Sequence, residues 1–174
     1  MLRYVVMIVG LLVVLIAAVL IVGSSLPQKH QVAREAMYRA TPAQLFALVR
    51  NVGEYPSWQK TASKVEVLPD VDGKPRFRET NSGQAITYEL SDIVQDHGMV
   101  SRIVDDKLPF GGSWTYELAP GGARDLTTLR ITENGEVYNP VFRFVSKYVM
   151  GHSATIDKYL EAVATRYPRL PADN

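Results

Sequence analysis

The carboxylate best placed for chemistry is Glu133. Between Leu126 and Glu133 apolar residues alternate with polar ones, and Glu133 falls on the side of Leu129 and Ile131. If that side faces inward, Glu133 is a partly buried acid. It could then pair with Arg102 or move a proton together with Tyr88 or His152. The alternative is that Asn134-Gly135 forms a turn and lifts Glu133 into solvent. Gly151-His152-Ser153-Ala154-Thr155 opens like a G-x-S-x-G nucleophile elbow but lacks the last glycine. It also falls within a helical period and not at a strand-to-helix turn, so Ser153 reads as structural. The three histidines, His30, His97 and His152, lie far apart at a linker, a turn and a helix, and predict no metal site. No dinucleotide fingerprint, phosphate loop, HExxH pair or calcium-loop spacing occurs. The absence of cysteine excludes thiolate metal sites, iron–sulfur clusters and a cysteine nucleophile. No catalytic residue, metal or cofactor is therefore assigned.

Binding residues stand out more than reactive ones. Trp58, Tyr88, Trp114 and Tyr116 are large aromatics expected to point inward. Their polar tips suit an apolar pocket with a few polar points. Val149, His152 and Ile156 join them from a helical stripe, with His152 either a core histidine or a polar group on the pocket wall.

The elements that must position these groups follow from periodicity. His30 to Ala40 fits either a strand or a short helix. Thr41-Pro42 then starts a helix, with Thr as N-cap and Pro at the first helical position. Gly53 and Pro56 end it. From Ser63 the period changes to two. Strands are predicted over 64–68, 76–80, 85–94, 99–104, 113–118 and 126–133, separated by turns at Asp72-Gly73, Asn81-Ser82-Gly83, Asp96-His97-Gly98 and Pro120-Gly121-Gly122. Consecutive strands without helices between them make an antiparallel sheet. Asn139-Pro140 opens the last element. There Val141, Val145, Val149, His152, Ile156, Leu160 and Val163 recur at steps of three or four. That spacing predicts one helix of about 26 residues with a single inward face. The class is α+β, with a curved sheet wrapped around a long C-terminal helix.

Charge and hydropathy divide the 174 residues in two. Tyr4 to Val22 holds no charge over 19 residues. As a helix it would be about 29 Å long, close to the hydrocarbon thickness of a bilayer. A cleaved signal peptide is the rival reading, with Val22-Gly23-Ser24 as a passable cleavage site, but its apolar region is usually only about 7–15 residues long. Residues 1–26 are expected to be a transmembrane anchor and residues 27–174 a single domain. The very short N-terminal tail favours a signal anchor and a single-pass protein of the cell membrane. Its body would lie on the outer, extracytoplasmic side, although Lys29, Arg34 and Arg39 pull the other way. Arg3 is the only charged side chain before residue 27, so the body carries 18 of the 19 basic groups against all 18 acidic ones. A neutral body without a basic run excludes nucleic acid as a partner.

This order of elements resembles the helix-grip fold of the START-like, or SRPBCC, superfamily and its polyketide cyclase/dehydrase-like branch. The resemblance is carried by Thr41-Pro42 followed by Val52-Gly53-Glu54-Tyr55-Pro56-Ser57-Trp58. It is carried also by Trp114-Thr115-Tyr116-Glu117-Leu118 before a Gly-Gly turn, and by Ile131 to Val137 running into Asn139-Pro140-Val141-Phe142-Arg143-Phe144. It spans residues 28–167. The resemblance implies a cavity for an apolar or amphipathic small molecule and no shared catalytic residue. Three functions remain open. The first is a membrane-anchored binding protein for a lipid or other hydrophobic molecule, held between sheet and C-terminal helix. The second is a cyclase or dehydratase acting on a polyketide-like ligand. The third is a protein-interaction module without a ligand. The first two require an interior void of several hundred Å³.

Overall fold

In the computed structural model, residues 1–81, 83–151 and 153–171 are described. Helix α1 runs over Leu2–Ser25 and leads into strand β1, Lys29–Arg39. Thus 29–39 resolves as a strand. Helix α2, Pro42–Arg50, a 3-10 turn over Val52–Glu54 and the one-turn helix α3, Tyr55–Trp58, come next. Strands β2 (Lys64–Val71), β3 (Lys74–Asn81), β4 (Gln84–Val94), β5 (Gly98–Ile103), β6 (Phe110–Pro120) and β7 (Leu126–Val137) follow as a meander. All pairings are antiparallel, in the order β1-β7-β6-β5-β4-β3-β2.

Helix α2 starts where Thr41-Pro42 predicts. The Thr41 hydroxyl accepts from the Gln44 backbone N–H at 3.3 Å, and the Gln44 side-chain carbonyl accepts from the Thr41 N–H at 2.9 Å. This reciprocal cap satisfies two donors that the helix leaves free. Thr41→Ala should lower stability by about 1 kcal/mol, read as a shift in the denaturation midpoint at unchanged slope. Leu45, Phe46 and Val49 bury the inner face of α2.

The C-terminal helix departs from the single rod expected of it. Helix α4 covers only Pro140–Val145, and a π-turn over Ser146–Met150 follows. The chain then breaks at Gly151, whose φ is 74°, before helix α5 at Ala154–Ala164. A π-turn adds a residue to the helical repeat, and a left-handed glycine ends the helix, so the face upstream rotates away. Ile156, Leu160 and Val163 remain buried as the period requires. Val141 and Val149 do not: they are 41% and 71% exposed.

The core lies between the sheet's inner face and α2, α3 and α5. The Tyr38 hydroxyl donates to the Leu160 carbonyl at 2.7 Å, and Arg34 meets Asp157 at 3.5 Å, tying β1 to α5. Helix α1 is exposed almost throughout; only Gly23 is buried, against the Pro140 carbonyl. A Cβ at residue 23 would collide with that backbone, so glycine is required there.

Candidate functional site

Strand alternation places Val32 and Ala36 of β1, Phe77 and Glu79 of β3, and Ile86, Tyr88 and Leu90 of β4 on the inner face. Met99, Ser101 and Ile103 of β5, Trp114, Tyr116 and Leu118 of β6, and Leu129, Ile131 and Glu133 of β7 share it. The two ends of this face differ. At one end Ala36, Leu90, Met99, Leu118 and Leu129 are buried. At the other, Val32, Glu79, Ile86, Tyr88, Ile103, Trp114 and Glu133 are only half-buried.

Aromatic rings fill the middle. The Tyr159 ring of α5 meets Trp58 at 5.4 Å, Tyr116 at 5.6 Å, Trp114 at 5.7 Å and Tyr55 at 6.2 Å between centroids. Most of these contacts are edge-on, the geometry favoured by ring quadrupoles. Tyr88 stacks on Phe77 at 5.1 Å. The Tyr55 hydroxyl donates to the Val49 carbonyl at 2.6 Å. Burial pushes the hydroxyl pKa values of Tyr55, Tyr88, Tyr116 and Tyr159 up, so these phenols stay protonated.

Glu133 faces inward. The Asn134-Gly135 turn is absent, because β7 continues unbroken to Val137. Its partner is not Arg102, which pairs in register with Glu89 and Ser113 on the exposed outer face. Instead His30 Nε2 lies 3.1 Å from Glu133 Oε1, and Trp114 Nε1 donates to Oε2 at 2.9 Å. His30 belongs to β1, not to a linker. No sequence signal joins it to Glu133 across 103 positions; only the β1–β7 register does.

Glu79 was not singled out by sequence. The signal existed: in Arg76 to Thr80, Glu79 alternates with Phe77 and so shares its inward side. Among the described residues no hydrogen bond or ion pair reaches its carboxyl. Burial raises its pKa from the usual 4.5 to about 7. An acid titrating near neutrality can hold or release a proton at physiological pH.

The candidates thus separate. Tyr88, Trp114 and Glu133 gather at the half-exposed end of the inner face. Tyr116 and Ile156 are buried in the packed middle. Trp58 is buried too, but it borders a different hollow, an open groove of about 310 Å³ between α2, α3 and the residues after α5. Its indole Nε1 has no hydrogen-bond partner among the described residues. Val149 faces away from the sheet, for the reason given by the π-turn. His152 lies outside the described residues. Among the described residues, no three His, Asp or Glu side chains gather as a metal site would need.

Beneath α5 the middle of the inner face is packed with rings gathered on Tyr159. Two hollows lie away from this packing: the groove beside Trp58, and a notch of about 30 Å³ where the linker after α1 meets β1, β7 and α4.

A curved antiparallel sheet holding a C-terminal helix, closed at one end by a short helix pair, defines a helix-grip protein of the START-like, SRPBCC class. The chain belongs to the polyketide cyclase/dehydrase and lipid transport family, whose model matches residues 29–167. No curated protein matches it in sequence. Among solved structures it is similar to a START superfamily protein from Mycobacterium smegmatis, with a TM-score of 0.64 and 17% identity, over 79% of this chain and 96% of that one. The Zhui aromatase/cyclase from Streptomyces sp. R1128 is similar at a TM-score of 0.64 and 15% identity, over 79% of this chain and 93% of that one. Norcoclaurine synthase from Thalictrum flavum gives 0.61 and 12%, over 79% and 93%. At these identities the likeness is one of fold.

Proposed function

We propose that the protein is a membrane-anchored binding protein for a lipid or other hydrophobic small molecule. Residues 1–26 are its single-pass anchor and residues 27–174 its START-like domain. The observation that carries this reading is the uneven cover of the inner face. Its half-exposed end offers Ile86, Tyr88, Ile103 and Trp114, with two carboxylates, Glu79 and Glu133, set among them. Apolar walls with a few fixed polar groups are the usual make-up of a small-molecule site. The proposed site is this open end of the inner face, between the sheet and the C-terminal helix.

Three features support the anchor. Helix α1 is 24 residues long, apolar and almost uncovered. Its end is packed into the body through Gly23 and Pro140. Arg143 donates to the Leu26 carbonyl at 2.7 Å. A segment removed during export would have no need of such fitted contacts. The body is assigned to the outer side, with Arg3 on the cytoplasmic flank of α1.

A second reading, a cyclase or dehydratase, is favoured by Glu79, a carboxyl titrating near pH 7 beside buried tyrosines.

Short-range quenching tests the site. Only two tryptophans are present, and bromine quenches indole fluorescence near contact. A brominated fatty acid added to the detergent-solubilised full chain should quench saturably in Trp58→Phe, where Trp114 remains. Quenching should be largely lost in Trp114→Phe. The reverse pattern would move the ligand to the groove beside Trp58 and contradict the assignment.

A further inference from the structure

The notch at the foot of α1 is lined by Leu26, Pro27, His30, Val137, Arg143 and Lys147. His30 is engaged with Glu133. Arg143 and Lys147 are different: among the described residues no carboxylate pairs with either. Arg143 donates from Nη1 to the Leu26 carbonyl at 2.7 Å and the Ser24 carbonyl at 3.5 Å and from Nη2 to the Tyr138 carbonyl at 3.4 Å, while its buried Nε has no hydrogen-bond partner among the described residues. Lys147 lies 5.5 Å over the Tyr148 ring and is otherwise free to reach out.

The height of this notch follows from α1. If α1 spans the bilayer, its last residues, Ser24 and Ser25, stand at the hydrocarbon boundary. Leu26 and Pro27 are then level with the headgroups, and so is α4, because Pro140 rests on Gly23. The residues that α4 and the π-turn expose fit that level. Phe142 is 50% exposed, Tyr148 57% and Val149 71%, and aromatic side chains of this kind favour the membrane–water boundary. Val149, which the helical period would have turned inward, is thus displayed with these aromatics on the outer surface.

We infer that this notch binds the headgroup phosphate of an anionic phospholipid, with Arg143 and Lys147 as its cationic walls. The inference rests on the membrane-anchor reading above. The notch is too small for an acyl chain but admits a compact charged group. The guanidinium, held in place by backbone carbonyls, supplies a fixed positive charge that no carboxylate neutralises among the described residues, and the Lys147 ammonium adds a movable point charge. The acyl chains would lie along α1 and the exposed Phe142, outside the protein.

The test uses the full chain in phosphatidylcholine vesicles with and without phosphatidylglycerol. Resistance to alkaline carbonate comes first and reports the anchor alone. Lipids retained by the detergent-released chain are then counted by native mass spectrometry. Phosphatidylglycerol should be enriched over its share in the vesicles. Lys147→Gln should reduce that enrichment about fivefold, the effect of one juxtamembrane charge. Arg143→Gln should do more, but it also loses backbone contacts, so Lys147→Gln carries the decision. Carbonate release would overturn the anchor and the proposal together. Carbonate resistance with both lipids retained in proportion would overturn the headgroup site alone. Displacement of the lipid by millimolar glycerol phosphate would overturn it in favour of a free-phosphate site.

Discussion

Glu79→Gln should raise the thermal midpoint of the protein at pH 8 by several degrees and leave it nearly unchanged at pH 4. The carboxyl of Glu79 has a folded-state pKa of about 7 against the usual 4.5, because burial disfavours its charged form. Between these two values the folded state holds a proton that the unfolded chain has released. Stability therefore falls as pH rises through that window and levels off above about pH 7. The full shift corresponds to about 3 kcal/mol, reduced to about 2 by the partial solvent access of a half-buried group. Glutamine keeps the shape and cannot ionise, so the variant escapes the loss. For a domain of this size about 2 kcal/mol is worth roughly 4–8 °C. Calorimetry of the solubilised chain at both pH values checks it. Equal shifts at pH 4 and pH 8 would mean that the Glu79 side chain is hydrated. A hydrophobic ligand covering Glu79 would deepen the same effect, so its affinity should rise as pH falls from 8 to 5.

Tyr159→Ala should cost about 3–5 kcal/mol, the usual range for deleting a buried aromatic ring. Tyr159 meets four aromatic rings, Tyr55, Trp58, Trp114 and Tyr116. Its removal takes one ring partner from each of the four, leaving the Tyr55–Trp58, Tyr55–Phe77 and Trp114–Tyr116 contacts, and opens a ring-sized void. Tyr159→Phe should cost about 1 kcal/mol, since the hydroxyl contacts Tyr55 at 3.5 Å and also interacts with the Tyr116 hydroxyl. Chemical denaturation of both variants separates the ring from the hydroxyl. A cost for Tyr159→Ala below that for Tyr159→Phe would show that the interior is not packed around this residue. The void also makes a functional forecast: the alanine variant should take up a small aromatic molecule that the native chain excludes.

Much of this architecture was legible because local rules and global fold agree. The alternation in Ala85 to Val94 and in Leu126 to Glu133 marks one buried sheet face, and Thr41-Pro42 marks a helix start through its cap. The C-terminal helix was misjudged because a three- or four-residue period registers apolar spacing, not backbone continuity. Gly151 was visible as a weak point, but the π-turn before it leaves no signature in residue type. Val149 therefore lies on the outer surface. Glu133 was legible as inward by alternation, yet its partners were not. His30 and Trp114 reach it across strand pairings set by register, and Arg102, closer by charge, is on the other face. Glu79 lay within reach of the same alternation argument. Aromatic residues on a concave face can line a void or fill it, and composition is the same in both cases. In the middle of this face Tyr159 from α5 packs against four of them.

The account turns on whether the open end of the inner face holds a hydrophobic molecule. The direct measurement is solvent extraction and mass spectrometry of the full chain purified from its own membranes, compared with Trp114→Ala purified alongside. A single class of hydrophobic molecule near one per chain, depleted in Trp114→Ala while bulk phospholipid is unchanged, is the predicted result. A chain that carries only bulk phospholipid in equal amounts in both proteins, and takes up nothing more from a membrane-lipid extract, would contradict it.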